Sequence, residues 1–130
     1  YLKEVIKIKS NVDSGMFRGI QDAAVRALQN PASWHDARNR EYAERREIIF
    51  RLMDKLQCSY DKAQEGMFVW ARIPEHVSSS EKFVDSILQE NHVFLTPGFI
   101  FGAKGERYIR ASLCNPNNIL EKAFSRVFNF

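Results

Sequence analysis

Apolar residues recur at helical spacing along much of this chain. Leu2, Val5 and Ile6, followed by Lys9, read as the end of an amphipathic helix, and Asn11 to Gly15 has turn chemistry. Phe17, Ile20, Ala24, Ala27 and Leu28 share one face of a second helix, which Asn30-Pro31 stops. Ser33-Trp-His-Asp36 has capping-box spacing. Tyr42, Ile49, Met53 and Leu56 then mark the stripe of a long helix ending near Leu56. Ser78 to Glu81 repeats the capping pattern ahead of Phe83, Val84, Ile87 and Leu88, a stripe ending near Asn91.

Elsewhere the period changes. Gly66 to Pro74 is rich in β-formers and apolar on both faces, so it predicts a central or covered strand. Val93 to Thr96 predicts a short strand. From Tyr108 to Leu113 the chain alternates, with Ile109, Ala111 and Leu113 on one face and Tyr108, Arg110 and Ser112 on the other. Asn115 as N-cap and Pro116 at the first helical position predict a last helix with Ile119, Ala123, Phe124 and Val127 inward. The expected fold is α+β, a small mixed sheet of about three strands with helices packed on it.

One stretch concentrates candidate chemistry. Between Thr96 and Leu113, Pro97-Gly98 predicts a turn with Gly at positive φ, and Gly102 and Gly105 each permit a further reversal. The glycine spacing matches neither the dinucleotide fingerprint nor the P-loop, so these are loop formers. Arg110 follows them on a strand beside small Ser112. A guanidinium there can present two parallel donors to a carboxylate or phosphate, and an exposed strand arginine satisfies the same pattern.

Composition narrows the field. The 130 residues, 45% hydrophobic, suffice for one core. The net charge is +3, but basic and acidic residues are interspersed, and the Arg38–Arg51 run is offset by Asp36, Glu41, Glu44 and Glu47. This predicts a solvated helix face and no nucleic-acid partner. No apolar run is long enough to span a membrane, and nothing at the start has signal-peptide order, so no membrane partner and a cytoplasmic location are expected. Cys58 and Cys114 lie far apart and read as inert thiols, and His35, His76 and His92 lack metal-ligand spacing, so no metal site is expected. Tyr1 is not an initiator methionine, which suggests a piece of a longer protein. No local motif pairs a nucleophile with a base.

Several spaced motifs, in order, carry a resemblance. Lys9-Ser-Asn-Val-Asp-Ser-Gly15 with Phe17, Ile20-Gln21 and Ala23-Ala24 comes first, then Tyr42 with Arg45-Arg46 and Gly66-Met-Phe-Val-Trp70 with Pro74. Most specific is Pro97-Gly98, Phe101-Gly102, Gly105-Glu106, Tyr108, Arg110 and Ser112-Leu113. Together these resemble the C-terminal small domain of fold type I pyridoxal-phosphate enzymes, the class I and II aminotransferases, aspartate aminotransferase-like. The resemblance implies that residues 1–12 end a helix leaving a large cofactor domain and 13–130 form the small domain.

It further implies that Arg110 pairs with the carboxylate of an amino-acid or 2-oxo acid substrate as the domain closes. Asn11 matches, more weakly, a position reaching the partner subunit's active site in a homodimer. The family's catalytic lysine lies before the small domain, and its motif is absent here; Lys104 and Lys122 stand in other contexts. The resemblance therefore implies pyridoxal phosphate in the full-length enzyme, none bound to this chain, and no catalytic residue within it. Carbon-sulfur lyases, cyclopropane-forming synthases and transcription regulators with an aminotransferase-like domain share this architecture.

Overall fold

The computed structural model describes residues 1–12 and 15–127. Its order is α1 (Leu2–Val12), α2 (Arg18–Leu28), α3 (Ala32–Lys55), β1 (Ser59–Tyr60), β2 (Phe68–Arg72), α4 (Ser80–Asn91), β3 (Thr96–Pro97), β4 (Tyr108–Ser112) and α5 (Asn117–Arg126). Two short 3-10 turns, Gly98–Phe101 and Ala103–Gly105, join β3 to β4. The α+β class is as expected, but the sheet differs in detail. It has four strands in the order β1-β2-β4-β3, and every pairing is antiparallel rather than mixed.

The chain forms two compact units, Tyr1–Ala37 and Arg38 onward. In the first, α1 and α2 are amphipathic yet contain no buried residue. Their contacts are local: Arg18 pairs with Asp22 at 2.8 Å and Gln21 donates to the Met16 carbonyl at 2.7 Å. Asn11, expected in a turn, lies in the last turn of α1, where its Nδ2 donates to the Lys7 carbonyl at 2.8 Å.

The second unit holds the core. Ile48, Ile49, Leu52, Met53 and Leu56 of α3, Phe83, Val84 and Ile87 of α4, and Leu120 of α5 gather with Val69 and Ala71 of β2 and Ile109 and Ala111 of β4. Burying a Leu or Ile side chain of this kind stabilises by about 1.5–3 kcal/mol. Because side chains alternate across a strand, burying Val69, Ala71, Ile109 and Ala111 turns Phe68, Trp70, Tyr108 and Arg110 to the opposite face. That face is partly open, and the candidate site lies on it.

Several boundaries move from their sequence expectations. The helix α3 starts at Ala32, ahead of Ser33, with the Trp34 N–H donating to the Pro31 carbonyl at 2.9 Å, so proline rather than a capping box opens it. Ser79, not Ser78, caps α4 by accepting from the Lys82 N–H at 3.5 Å. Strand β3 occupies Thr96–Pro97 instead of 93–96, and α5 begins after Pro116. In α5 Leu120 is buried while Ile119 faces out, and Leu88 of α4 is also exposed.

The arginine run of α3 is not simply a solvated face either. Arg45 donates to the Leu113 carbonyl at 3.1 Å and pairs with Glu41. Arg46 donates to the Gly66 carbonyl at 3.3 Å and pairs with Glu65 at 3.2 Å. These two guanidiniums tie α3 to the chain just before β2 and just after β4. Both side chains are largely covered, because each must reach across the helix to a backbone acceptor.

Candidate functional site: an arginine beside two aromatic rings

Pairing of β4 with both neighbours puts Arg110 in the middle of a row. Trp70 lies opposite it on β2 and Thr96 opposite it on β3. Phe68, paired with Ser112, is the diagonal neighbour of Arg110 on the same face, close enough for an aromatic side chain to reach. The Arg110 Cζ lies 4.2 Å from the centroid of the Phe68 ring and 4.5 Å from that of Phe101. Both distances are well within the range of cation–π attraction. Among the described residues, no carboxylate pairs with Arg110.

The turn that delivers Phe101 is built by glycine, though not wholly as the sequence suggests. Only Gly102 takes the positive φ, at 112° with ψ 170°, a region essentially reserved for glycine. Gly98 and Gly105 serve a different purpose. Their backbones are so close that a Cβ on Gly98 would strike the carbonyls of Gly105 and Tyr108, and one on Gly105 would strike Gly98. This interlock closes the turn and sets Phe101 down on the outer face. There the Phe101 ring meets Trp70 edge-on, with centroids 5.6 Å apart, and Trp70 stacks on Tyr108 at the same separation.

Two clefts border this row. One, of about 510 Å³, lies between the 92–96 segment, the end of β4 and α5, and Arg110, Lys122 and Arg126 contribute to its lining without any carboxylate. The other, of about 520 Å³, has Trp70 and Tyr108 in its wall together with Arg72 and Asp61. A planar cation whose donor edges have no partner among the described residues, on a wall to which none of them contributes a carboxylate, is suited to a bidentate anion. A carboxylate is one such ligand.

The other sequence candidates fall elsewhere. Asn11 is in the first unit, on α1. Cys58 is buried and Cys114 exposed, both free, and no group of three or more His, Cys, Asp or Glu among the described residues could hold a metal ion. Nor is any helix among them long and apolar enough to cross a membrane. Phe68 and Phe101 do not stand out as site residues in the sequence. Alternation puts Phe68 on the face of Trp70, but which strand lies alongside, and in what register, is not local information.

Comparison with known proteins identifies the family. Residues 2–127 match the family model for aminotransferase class I and II, and the chain belongs to that family. An LL-diaminopimelate aminotransferase of Maridesulfovibrio salexigens is 40% identical over 121 residues, 93% of this chain and 31% of that protein. Transaminase BacF of Bacillus subtilis is 33% identical over 127 residues, 97% of this chain and 32% of its own length. Among solved structures, substrate-bound BacF aligns with a TM-score of 0.76 at 33% identity, covering 93% of this chain and 31% of that one. A probable N-succinyldiaminopimelate aminotransferase of Thermus thermophilus aligns with a TM-score of 0.82 at 26% identity, covering 97% and 33%. The chain thus spans about a third of the length of the relatives it matches.

The residues present do not by themselves fit pyridoxal phosphate. Bonding its aldehyde calls for a lysine amine kept neutral, usually by desolvation or a neighbouring cation inside a pocket. Lys104, in the second 3-10 turn, and Lys122, on α5, are exposed like the other lysines of the chain, except half-buried Lys55, whose ammonium donates to the Phe124 carbonyl and lies over the Phe124 ring.

Proposed function

We propose that this chain is the C-terminal small domain of a full-length aminotransferase, and that Arg110 is its substrate-carboxylate ligand. The full-length enzyme moves an amino group between an amino acid and a 2-oxo acid, and residues outside this chain hold its pyridoxal phosphate. The observation that carries this reading is Arg110 itself: a guanidinium beside two rings, with no carboxylate partner among the described residues, on the partly open face of the sheet. Two parallel N–H donors to a substrate carboxylate fix both the position and the rotation of the molecule about its Cα. The small domain then acts by closing over the substrate and excluding water from the reacting carbon.

The reading extends to the assembly. The full-length protein is proposed to be a cytoplasmic homodimer, with Asn11 reaching toward the partner subunit's active site. Two free cysteines, one of them exposed, accord with a reducing compartment.

The test is kinetic. In the full-length protein Arg110→Ala is expected to lower kcat/KM for carboxylate substrates at least tenfold, about 1.4 kcal/mol per decade. Asn11→Ala is expected to have a smaller effect in the same assay. An Arg110→Ala enzyme with unchanged kcat/KM would falsify the assignment. Mixed with pyridoxal phosphate, the present chain alone is expected to show no saturable visible absorbance band; stoichiometric saturation would mean that it contains a cofactor lysine after all.

A further inference from the structure

The rings beside Arg110 are not part of this chain's own core. Within this chain Phe68 is 37% and Phe101 51% exposed, so neither contributes much to its core. Each nonetheless sits against the same guanidinium. Among the described residues the two rings form no ring pair with one another, and what they share is the guanidinium. A ring that packs on a guanidinium's face leaves its edges, where all five N–H donors lie, free.

We propose that Phe68 and Phe101 are positioning residues that fix the Arg110 guanidinium so that its donor edge meets the substrate carboxylate. This rests on the carboxylate reading of Arg110 given above. The two rings are set by independent parts of the fold. Phe68 is held by the β2–β4 register, which puts it opposite Ser112 and diagonal to Arg110. Phe101 is held by the interlocked Gly98–Gly105 turn and by its edge contact with Trp70. An unclamped arginine would lose rotamer freedom on binding, and the rings remove part of that loss beforehand. Lysine, with a tetrahedral ammonium and no plane, cannot be held in this way.

The test uses the full-length enzyme with 2-oxoglutarate as the carboxylate probe. Phe68→Leu and Phe101→Leu remove a ring while keeping apolar bulk. Each is expected to raise KM by about three- to tenfold, as the loss of one cation–π contact implies, with the thermal midpoint little changed. Phe68→Tyr and Phe101→Tyr, which keep the ring, should restore KM to near the wild-type value. In an Arg110→Ala background the Leu substitutions should add no further loss, since their effect acts through the guanidinium.

Leu variants with unchanged KM, beside an Arg110→Ala enzyme that loses tenfold or more, would overturn the clamp and leave the carboxylate reading standing. So would Leu losses that persist at full size without Arg110. A silent Arg110→Ala would instead remove the carboxylate reading. The clamp itself is also read without substrate: ring currents should displace the Arg110 Nε–H proton resonance, and the displacement should shrink in Phe101→Leu, which lies on an exposed turn. No displacement in the wild type overturns the proposal.

Discussion

Replacing Arg110 by lysine keeps the charge and loses the fork, so it separates attraction from geometry. A lysine offers one point of charge, whereas the pair inferred at this site needs two parallel donors. Arg110→Lys in the full-length enzyme is therefore expected to lose at least tenfold in kcat/KM, measured against a common substrate. The two cysteines give a second prediction at this scale. Burial pushes the Cys58 thiol from 9.0 up to about 12, while Cys114 is exposed. A thiol reagent at pH 8 should titrate one cysteine per folded chain quickly and the second only on unfolding. The folded state also holds the Cys58 proton more tightly than the unfolded state does. The associated stability is fully present below about pH 9 and is lost as pH rises toward 12, a window in which Cys58→Ala should flatten the fall of the urea midpoint.

The individual elements show how local chemistry and tertiary demand divide the work. Helix periodicity locates α3 and α4 because one covered face needs the same spacing in any fold, and it locates α2 although that helix buries nothing within this chain. It misassigns Ile119 and Leu120 because neighbouring positions on a helix differ by about 100°, and packing alone decides which one turns inward. The turn between β3 and β4 reads as glycine-dependent from the sequence, yet the reasons differ along it. Gly102 is required for its φ, whereas Gly98 and Gly105 are required for an approach between backbones distant enough in sequence to be invisible locally. Gly102→Ala is expected to destabilise by about 1–3 kcal/mol, read from the urea midpoint, because no side chain sits comfortably at that φ and ψ. Gly105→Ala should instead disrupt the turn, and with it the contact of Phe101 with Arg110, lowering carboxylate affinity in the full-length enzyme more than its effect on stability alone would.

For the whole chain, the contrast between its two units sets the expectation. The first buries nothing along α1 and α2, and isolated helices of about a dozen residues are marginal in water. The second encloses fully buried residues such as Leu52, Met53, Val69 and Ile109. Limited proteolysis of this chain should cut within residues 1–37 first and leave a resistant product beginning near Arg38; initial cleavage within the 48–113 region would contradict this. Leu52→Ala, at the centre of the buried stretch of α3, should cost about 2–5 kcal/mol in the second unit.

The α+β class, the long helix, the alternation of β4 and the position of Arg110 on its outward face are all legible in the residues alone. Each follows from periodicity or from a residue's own conformational limits, which a chain carries wherever it folds. The four-stranded antiparallel order, the use of Arg45 and Arg46 as ties to the sheet, and the meeting of Phe68 and Phe101 on Arg110 come only with the folded chain. Those depend on strand register and on contacts between segments far apart in the chain, whose energies exist only once the segments meet.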